Sequence, residues 1–83
     1  MAEDNLRSLL EYLAKSIVNN PDDVTVEEYE SGKTVHLELH VNPEDIGRVI
    51  GKHGRVANSM RTILRVVAAR NGKKVEMDVV DLD

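Results

Sequence analysis

Apolar residues change from a helical spacing to a strand spacing and back along this chain, and that change constrains the fold more than any other feature. Over residues 6–17 they recur every three or four positions, which predicts an amphipathic helix. Asp4 or Asn5 can cap the start of this helix with a side-chain oxygen. The run Asn19-Asn20-Pro21 ends it, because the residue before a proline is pushed out of the helical region.

Residues 24–41 alternate between apolar and polar side chains, which is typical of strands with one buried face. Ser31 and Gly32 divide this stretch and predict the turn of a hairpin. A second helical start follows at Asn42, which can cap a helix that begins with a proline and two acidic residues. The remaining predicted elements are a short helix, a break at residues 51–54, a longer helix over residues 55–70 ended by Asn71-Gly72, and a last strand over residues 75–79.

The order helix, strand, strand, helix, helix, strand predicts an α+β fold in which helices cover one face of a three-stranded sheet. With 83 residues, the chain is expected to form one domain over residues 1–83. It has no cysteine, so apolar packing rather than disulfides or a zinc ribbon must stabilise it. The longest apolar run is far too short to cross a membrane, and a signal-peptide pattern is missing. We therefore expect a soluble, cytoplasmic protein.

Charges are strongly segregated along the sequence, although the formal net charge is only -4. Residues 1–45 carry three basic and eleven acidic side chains, and residues 75–83 are acidic again. Residues 46–74 carry eight basic side chains and no acidic one. A helix face that is merely solvated usually mixes the two signs on neighbouring turns, which this stretch does not do. A basic stretch between acidic ones predicts a positive surface to which a polyanion can bind.

Gly51-Lys52-His53-Gly54 lies within the basic stretch, between two predicted helices. Its glycines permit a tight turn with positive φ and leave room for a close approach to the backbone. A phosphate could then lie against free N–H groups at the start of the following helix, with Lys52, His53 and Arg55 adding charge. On spacing alone, a plain cap and turn between two helices explains the glycines equally well.

The residues before the loop favour the binding interpretation. Ile46, Val49 and Ile50 form an apolar ridge that predicts the wall of a groove for bases, and Arg48 lies among them. With two tyrosines and no Phe or Trp, the chain cannot bind bases by stacking them on a row of aromatic rings. An apolar floor beside a phosphate clamp suits a single strand held by its backbone, with bases on aliphatic side chains.

The helix after the loop has two predicted faces. A helical wheel places Asn58, Arg61 and Arg65 together on an exposed face that continues the positive surface. The predicted core face consists of Val56, Met60, Ile63, Leu64 and Val67.

The run Val49-Ile50-Gly51-Lys52-His53-Gly54-Arg55 resembles the GxxG signature of KH domains, which clamp about four nucleotides of a single strand. The element order resembles the type II, prokaryotic KH arrangement over essentially the whole chain. More closely, the segment NPEDIGRVIGKHGRVANSMRTILRVVAARNGKKVEMDVV resembles the KhpA family of small bacterial RNA-binding proteins, which consist of one KH domain. The resemblance implies that residues 51–54 clamp the RNA backbone.

The resemblance also implies partners and a cellular role. It implies a homodimer, or a heterodimer with a KhpB-like KH protein, that acts as an RNA chaperone or post-transcriptional regulator. A role in cell-wall homeostasis and cell length is implied as well. One departure from the KH pattern is Ala57, where many KH domains have a larger aliphatic residue, and it predicts a shallower groove.

Enzyme classes fit the sequence less well. A P-loop needs four residues between its glycines and a Ser or Thr after its lysine, whereas Gly47 and Gly51 are separated by three residues and His53 follows Lys52. No arrangement of serine, histidine and acidic residues supports nucleophilic catalysis. We therefore expect no enzyme activity, no catalytic residue and no cofactor.

A metal site is the second alternative. His36, Glu38 and His40 alternate onto one strand face, within reach of a shared ion. Three such residues on a solvent-facing strand are more often plain surface, so we predict no metal site there.

The strongest alternative is a protein-interaction module in which RNA contact is secondary to dimerisation. Both functions can hold together, because one small clamp binds weakly and a second domain raises the effective concentration. We therefore predict a protein that binds single-stranded RNA as a dimer or with a KH partner. The predicted RNA contacts are Gly51 and Gly54 in the loop, Lys52, His53 and Arg55 on phosphates, Arg48, Arg61 and Arg65 in support, and Ile46, Val49 and Ile50 as groove walls.

Overall fold

The helices and strands follow one another in the predicted order, which confirms the α+β fold. The computed structural model describes residues 5–81. Short 3-10 turns lie at Pro21–Asp23, Pro43–Asp45 and Lys52–Gly54. The helices and strands are α1 (Leu6–Lys15), β1 (Thr25–Ser31), β2 (Thr34–Val41), α2 (Ile46–Ile50), α3 (Arg55–Arg70) and β3 (Lys74–Asp81).

The three strands form one mixed sheet with β2 at its centre. β1 pairs with β2 in antiparallel fashion, with Val26 opposite Leu39, and β3 pairs with β2 in parallel, with Met77 opposite Leu37. Every second side chain of β2 is buried, because successive side chains point to opposite faces of a sheet. The parallel pairing needs a crossover, which α2 and α3 supply. Helices therefore cover one face, and no helix within residues 5–81 covers the other.

The core lies between the sheet and the helices α1 and α3. Leu10 of α1, Leu39 of β2 and Leu64 of α3 have no exposed surface. Complete burial of one such side chain stabilises the folded state by about 1.5–3 kcal/mol. These three contacts between layers therefore hold the helices in place over the sheet.

The core face of α3 differs from the predicted one at Ile63, which is 43% exposed. Ile63 directly precedes a core residue, and neighbours along a helix point about 100° apart, so it faces away from the sheet. Val56 and Val67 lie half-buried at the margins of the core. The buried residues of α3 are Ala57, Met60, Leu64 and Ala68.

Helix α1 starts as predicted and ends earlier than expected. The Asn5 side chain accepts a hydrogen bond of 3.0 Å from the N–H three residues later, so Asn5 is the cap, while Asp4 lies outside the described residues. At the other end the Ile17 N–H donates to the Ala14 carbonyl oxygen at 3.1 Å, which tightens the last turn into 3-10 geometry. Ile17, which the sequence places in the helix, therefore lies beyond the end of α1. Its side chain is 37% exposed.

Two turns end elements near their predicted places. The hairpin turn consists of residues 32–33, one residue later than the predicted Ser31-Gly32. The predicted cap of α3 at Asn71-Gly72 is confirmed: Gly72 and Lys73 each donate a backbone hydrogen bond of 3.0 Å into the last turn of the helix. None of the helices within residues 5–81 is both long enough and apolar enough to span a bilayer.

Candidate functional site

The loop Gly51–Gly54 joins α2 to α3 in a conformation that most residues avoid. The φ angle is +77° at Gly51, +58° at His53 and +74° at Gly54. Glycine takes positive φ freely, whereas the left-handed region costs other residues about 1–2 kcal/mol. Within the described chain, His53 is the one residue other than glycine with a positive φ. Strain of this kind clusters at binding sites, which makes the loop the candidate functional site.

The two glycines of the loop are needed for different reasons. At Gly51 a Cβ atom would lie 2.8 Å from the backbone nitrogen of Val56 and would overlap its side chain. Gly51 therefore lets the loop pack directly on the first turn of α3. At Gly54 the nearest neighbour of a Cβ atom would be the Asn58 amide nitrogen at 3.8 Å, an ordinary contact. Gly54 is therefore needed only for its positive φ, and the space beside its Cα atom is open.

The start of α3 suits an anion. Its N-cap residue is Gly54, no side chain forms a capping hydrogen bond, and the first turn has no acidic residue. The N–H groups and the dipole at this end of a helix both favour negative charge. The side chains of Lys52, His53 and Arg55 are exposed here, and none of these side chains forms a hydrogen bond or ion pair with another residue within 5–81. The structure thus brings the three predicted phosphate contacts together at one end of α3.

A fully buried carboxylate anchors the start of α2. Asp45 has no exposed surface. One of its oxygens accepts a hydrogen bond from the Asn19 backbone N–H, and the other accepts from the backbone and side-chain N–H groups of Asn20, each at 3.0 Å. Burial raises the pKa of Asp45, but these hydrogen bonds and nearby Arg48 outweigh burial, so the pKa lies below its ordinary value of 3.8. Asp45 therefore stays ionised and ties α2 to the segment before β1.

The same anchor holds Arg48. Its Nε lies 3.7 Å from an oxygen of Asp45, and its side chain is 53% exposed. The Asn19 side-chain amide faces the guanidinium, and with its oxygen on that side it accepts hydrogen bonds of 3.2 and 3.0 Å from two nitrogens of Arg48. Arg48 therefore presents a fixed, partly exposed charge beside the loop rather than a mobile one.

The predicted positive face of α3 is divided. Arg61 donates from Nε to the Met77 carbonyl oxygen at 3.1 Å and from a terminal nitrogen to the Asn58 side-chain oxygen at 3.0 Å. These bonds tie α3 to β3 and fix the guanidinium. Arg65 is exposed but lies about 15 Å along the helix from Arg55, because an α-helix rises about 1.5 Å per residue. Arg61 therefore lies closer to the loop, and Arg65 lies towards the far end.

The apolar ridge before the loop is only partly exposed. Val49 has no exposed surface and belongs to the core, so it cannot form the groove wall predicted for it. Ile50 is 38% exposed and Ile46 is half-buried, because neighbours on α2 point in different directions. Ala57 is also buried, so its small size affects packing beneath α3 rather than the depth of an open groove.

Sequence reasoning missed the groups that hold the site in place. The pattern predicts Asp45 only as a favourable charge at a helix start, and it predicts Asn19 and Asn20 only as residues that end α1. The bonds between them join positions about 25 residues apart, which no local spacing signals. The bond from Arg61 to β3 is likewise a contact between distant segments.

Comparison with known proteins gives consistent matches over most of the chain. The family model for the KH domain of KhpA and KhpB matches residues 7–79. RNA-binding protein KhpA of Halalkalibacterium halodurans is 40% identical over 76 residues, which are 92% of this chain and 100% of that protein. The proteins of the same name from Clostridium perfringens and Streptomyces coelicolor are 43% and 46% identical. Those alignments cover 90% and 94% of this chain, and 100% and 95% of the relatives.

The matched residues include α2, the loop Gly51–Gly54 and α3, and so the strained loop and the helix start described above lie inside the region of similarity. The two-layer arrangement of one sheet and its helices within residues 5–81 agrees with that match. On both the sequence matches and the fold, this chain belongs to the KhpA/KhpB family of KH domains.

Proposed function

We propose that this chain binds single-stranded RNA through the loop Gly51–Gly54. The observation that carries the proposal is the meeting of three exposed side chains, Lys52, His53 and Arg55, with the uncapped start of α3. A phosphate needs hydrogen-bond donors and positive charge at one point, and this end of the helix offers both. The name shared by the relatives, RNA-binding protein KhpA, supports RNA as the polyanion.

A strand whose phosphates lie over the loop has its bases beside α2 and α3. Ile50 and Ile46 offer apolar contact to those bases on the α2 side. Arg48 precedes the loop on α2 and Arg61 follows it on α3, and their existing hydrogen bonds mean that little side-chain freedom is lost when RNA binds. Arg65 extends the positive surface away from the clamp and contributes only to longer RNAs.

Fluorescence anisotropy of a labelled, unstructured RNA at several salt concentrations tests this proposal. Each phosphate contact contributes a slope of about -0.7 in log affinity against log salt, so Lys52 and Arg55 together give about -1.4. The double variant Lys52→Asp/His53→Asp should lose binding and keep its circular dichroism spectrum, because both side chains are exposed. Unchanged affinity in that variant would rule out the clamp.

Lys33→Asp is the matched control for charge. Lys33 is exposed in the hairpin turn, and its carbonyl oxygen accepts a 2.8 Å hydrogen bond from Lys74, just after the end of α3. The 16 residues of α3 make it about 24 Å long, so this control lies far from the loop. Lys33→Asp should therefore bind RNA like the natural chain, and equal losses in both variants would indicate a loss of net charge only.

We further propose that the chain acts as a dimer, with itself or with a KhpB-like KH protein. Ile63 and Val66 are 43% and 54% exposed on α3, and a shallow apolar depression beside Ile63 is shared with Leu13 and Ile17. Apolar surface of this kind favours pairing, and pairing two weak clamps raises the affinity for one strand.

Sedimentation velocity tests the pairing. Ile63→Asp should produce a monomer that keeps its fold, whereas Val80→Asp, at a 37% exposed residue of β3, should leave the natural state unchanged. A dimer that survives Ile63→Asp contradicts this surface. A natural chain that is monomeric alone and pairs only when a KhpB-like protein is added supports the heterodimer.

The role we propose for the paired chain is that of an RNA chaperone or post-transcriptional regulator, with effects on cell-wall homeostasis and cell length. Cell length in a deletion strain, complemented with the natural chain, Lys52→Asp/His53→Asp or Lys33→Asp, tests that role. Rescue by the loop double variant would favour the interaction-module alternative, in which RNA contact is secondary.

A further inference from the structure

The sheet face away from the helices carries a second cluster of ionisable side chains, separate from the loop. Side chains alternate along a strand, so the neighbours of buried residues point away from the core. On β2 the alternation places His36, Glu38 and His40 on this face, between buried apolar residues. On β1, Glu27 and Tyr29 point the same way, because Val26 between Thr25 and Glu27 is buried.

Three acidic residues lie side by side across this face. The register pairs Glu27 of β1 with Glu38 of β2, and Glu38 with Asp78 of β3. Side chains directly opposite one another on neighbouring strands have Cβ atoms about 4.5–5.5 Å apart, and like charges there are destabilising. A positive ion held between these carboxylates would remove the repulsion.

His40 adds a nitrogen ligand to this row. One ligand atom from each of Glu27, Glu38 and His40 lies within 4.8 Å of the other two. The Nε2 atom of His40 and an oxygen of Glu38 are 3.4 Å apart. Two ligand atoms of a tetrahedral zinc site with bonds of about 2.0–2.1 Å lie about 3.3–3.4 Å from each other. The imidazole and the carboxylate therefore already have the spacing of one edge of a zinc site.

The Nε2 atom of His40 gives independent support. It is buried from solvent and forms no hydrogen bond in the described structure, although a Glu38 oxygen lies 3.4 Å away. Buried polar atoms are nearly always paired, and a bound ion is one explanation for an exception. His36 differs, because its ring stacks on Tyr29 with ring centres 4.6 Å apart and planes 10° apart. The Nδ1 atom of His36 lies 3.4 Å from Glu76, and the group of close ligand atoms holds Glu27 of β1 instead of His36. The group therefore differs from the three residues of β2 for which the sequence predicts no metal site.

We propose that Glu27, Glu38 and His40 bind a divalent transition-metal ion, for which Zn²⁺ is the best fit. Imidazole nitrogen favours zinc and its neighbours, whereas Mg²⁺ and Ca²⁺ take oxygen ligands. Three protein ligands leave a fourth position open to water. Asp78 beside Glu38 adds negative charge next to the ion. The ion joins β1 to β2 and neutralises the acidic row, so it stabilises the sheet.

Isothermal titration calorimetry of the full chain with Zn²⁺, together with the visible absorption spectrum of bound Co²⁺, tests the site. We expect one ion for each chain and a rise in melting temperature with zinc. His40→Ala should lower the zinc affinity by at least about tenfold, and Glu27→Gln should do the same. His36→Ala and Glu76→Gln are the matched controls. They alter another histidine and glutamate on the same face of the sheet, whose closest atoms are also 3.4 Å apart. Each control should leave the zinc affinity unchanged.

These measurements distinguish zinc held by Glu27, Glu38 and His40 from zinc bound weakly by unrelated surface carboxylates. Equal zinc affinity in His40→Ala and the natural chain overturns the proposal, and so does the loss of binding in His36→Ala. Absence of both a heat signal and a cobalt spectrum also overturns it. If His40→Ala fails to fold by circular dichroism, Glu27→Gln alone carries the test. Lys52→Asp/His53→Asp should keep its zinc affinity, so a failed RNA-binding proposal leaves this one standing.

Discussion

Replacement of Gly51 by alanine tests whether the loop is built around a close backbone contact. Gly51 has φ of +77° and ψ of 171°, a region populated almost only by glycine and unfavourable for other residues by about 1–3 kcal/mol. The new Cβ atom would also lie 2.8 Å from the backbone nitrogen of Val56. A backbone atom cannot rotate aside, so the start of α3 must move. We therefore expect Gly51→Ala to lower the free energy of unfolding by about 3 kcal/mol or more.

Two matched substitutions separate the close contact from the backbone conformation. Gly54→Ala and Gly72→Ala also place alanine at positive φ, at +74° and +70°. A Cβ atom at Gly54 has no neighbour nearer than 3.8 Å, and one at Gly72 has none within 4 Å. Each substitution should therefore lower the free energy of unfolding by only about 1–2 kcal/mol.

Urea unfolding followed by far-ultraviolet circular dichroism measures all three variants. The dependence of the free energy on urea should keep the slope of the natural chain, because the surface exposed on unfolding does not change. The stability of such a domain is about 0.05–0.15 kcal/mol per residue, so the Gly51→Ala loss is a large share of the total. A Gly51→Ala loss within about 0.5 kcal/mol of the Gly72→Ala loss would refute the close contact.

Three further predictions concern single residues. Because its pKa is lowered by folding, Asp45 stabilises the fold fully above its ordinary pKa of 3.8, and that stabilisation is lost as the pH falls through the folded pKa. Asp45→Asn should thus unfold more readily near neutral pH, and a gap in urea unfolding that does not begin to narrow as the pH falls below 3.8 would contradict this. His53 has a positive φ, which valine adopts with difficulty and asparagine tolerates. His53→Val should therefore lower the free energy of unfolding by about 1–2 kcal/mol, and His53→Asn should lower it by less than about 0.5 kcal/mol. Equal losses would argue against backbone strain at this position. Leu10→Ala empties a fully buried position and should lose about 2–5 kcal/mol in the same assay, more than Leu9→Ala at a half-buried one.

The spacing of apolar residues predicts most of the fold because each element is decided locally. The alternating residues of β2 can all be buried on one face only, whatever lies against them. The cap of α1 at Asn5 and the end of α3 at Gly72 depend on side chains and backbone angles within a few residues. The parallel pairing of β3 with β2 depends instead on how the crossover helices pack, which no short pattern encodes.

In the candidate site too, the features decided by neighbouring residues could be predicted, and those decided by distant contacts could not. Glycines and cations close together in sequence are close together in the structure, so the loop and its charges could be predicted. The burial of Val49 beside the exposed Ile50 depends on which side α2 turns towards the sheet, which five residues do not determine. The anchor at Asp45 depends on Asn20, in another segment, and so only the folded chain reveals it.

The order of the strands leaves β1 and β3 as the two edges of the sheet, with consequences for self-assembly. β1 carries Glu27, Glu28 and Glu30 among its seven residues, and charged side chains on an edge strand oppose pairing with a strand of another molecule. At the opposite edge, Arg61 occupies the Met77 carbonyl oxygen of β3. The edge formed by β1 therefore depends on charge repulsion for its protection. Neutralising its carboxylates, by acid or by substitution, opens β1 to strand addition and aggregation.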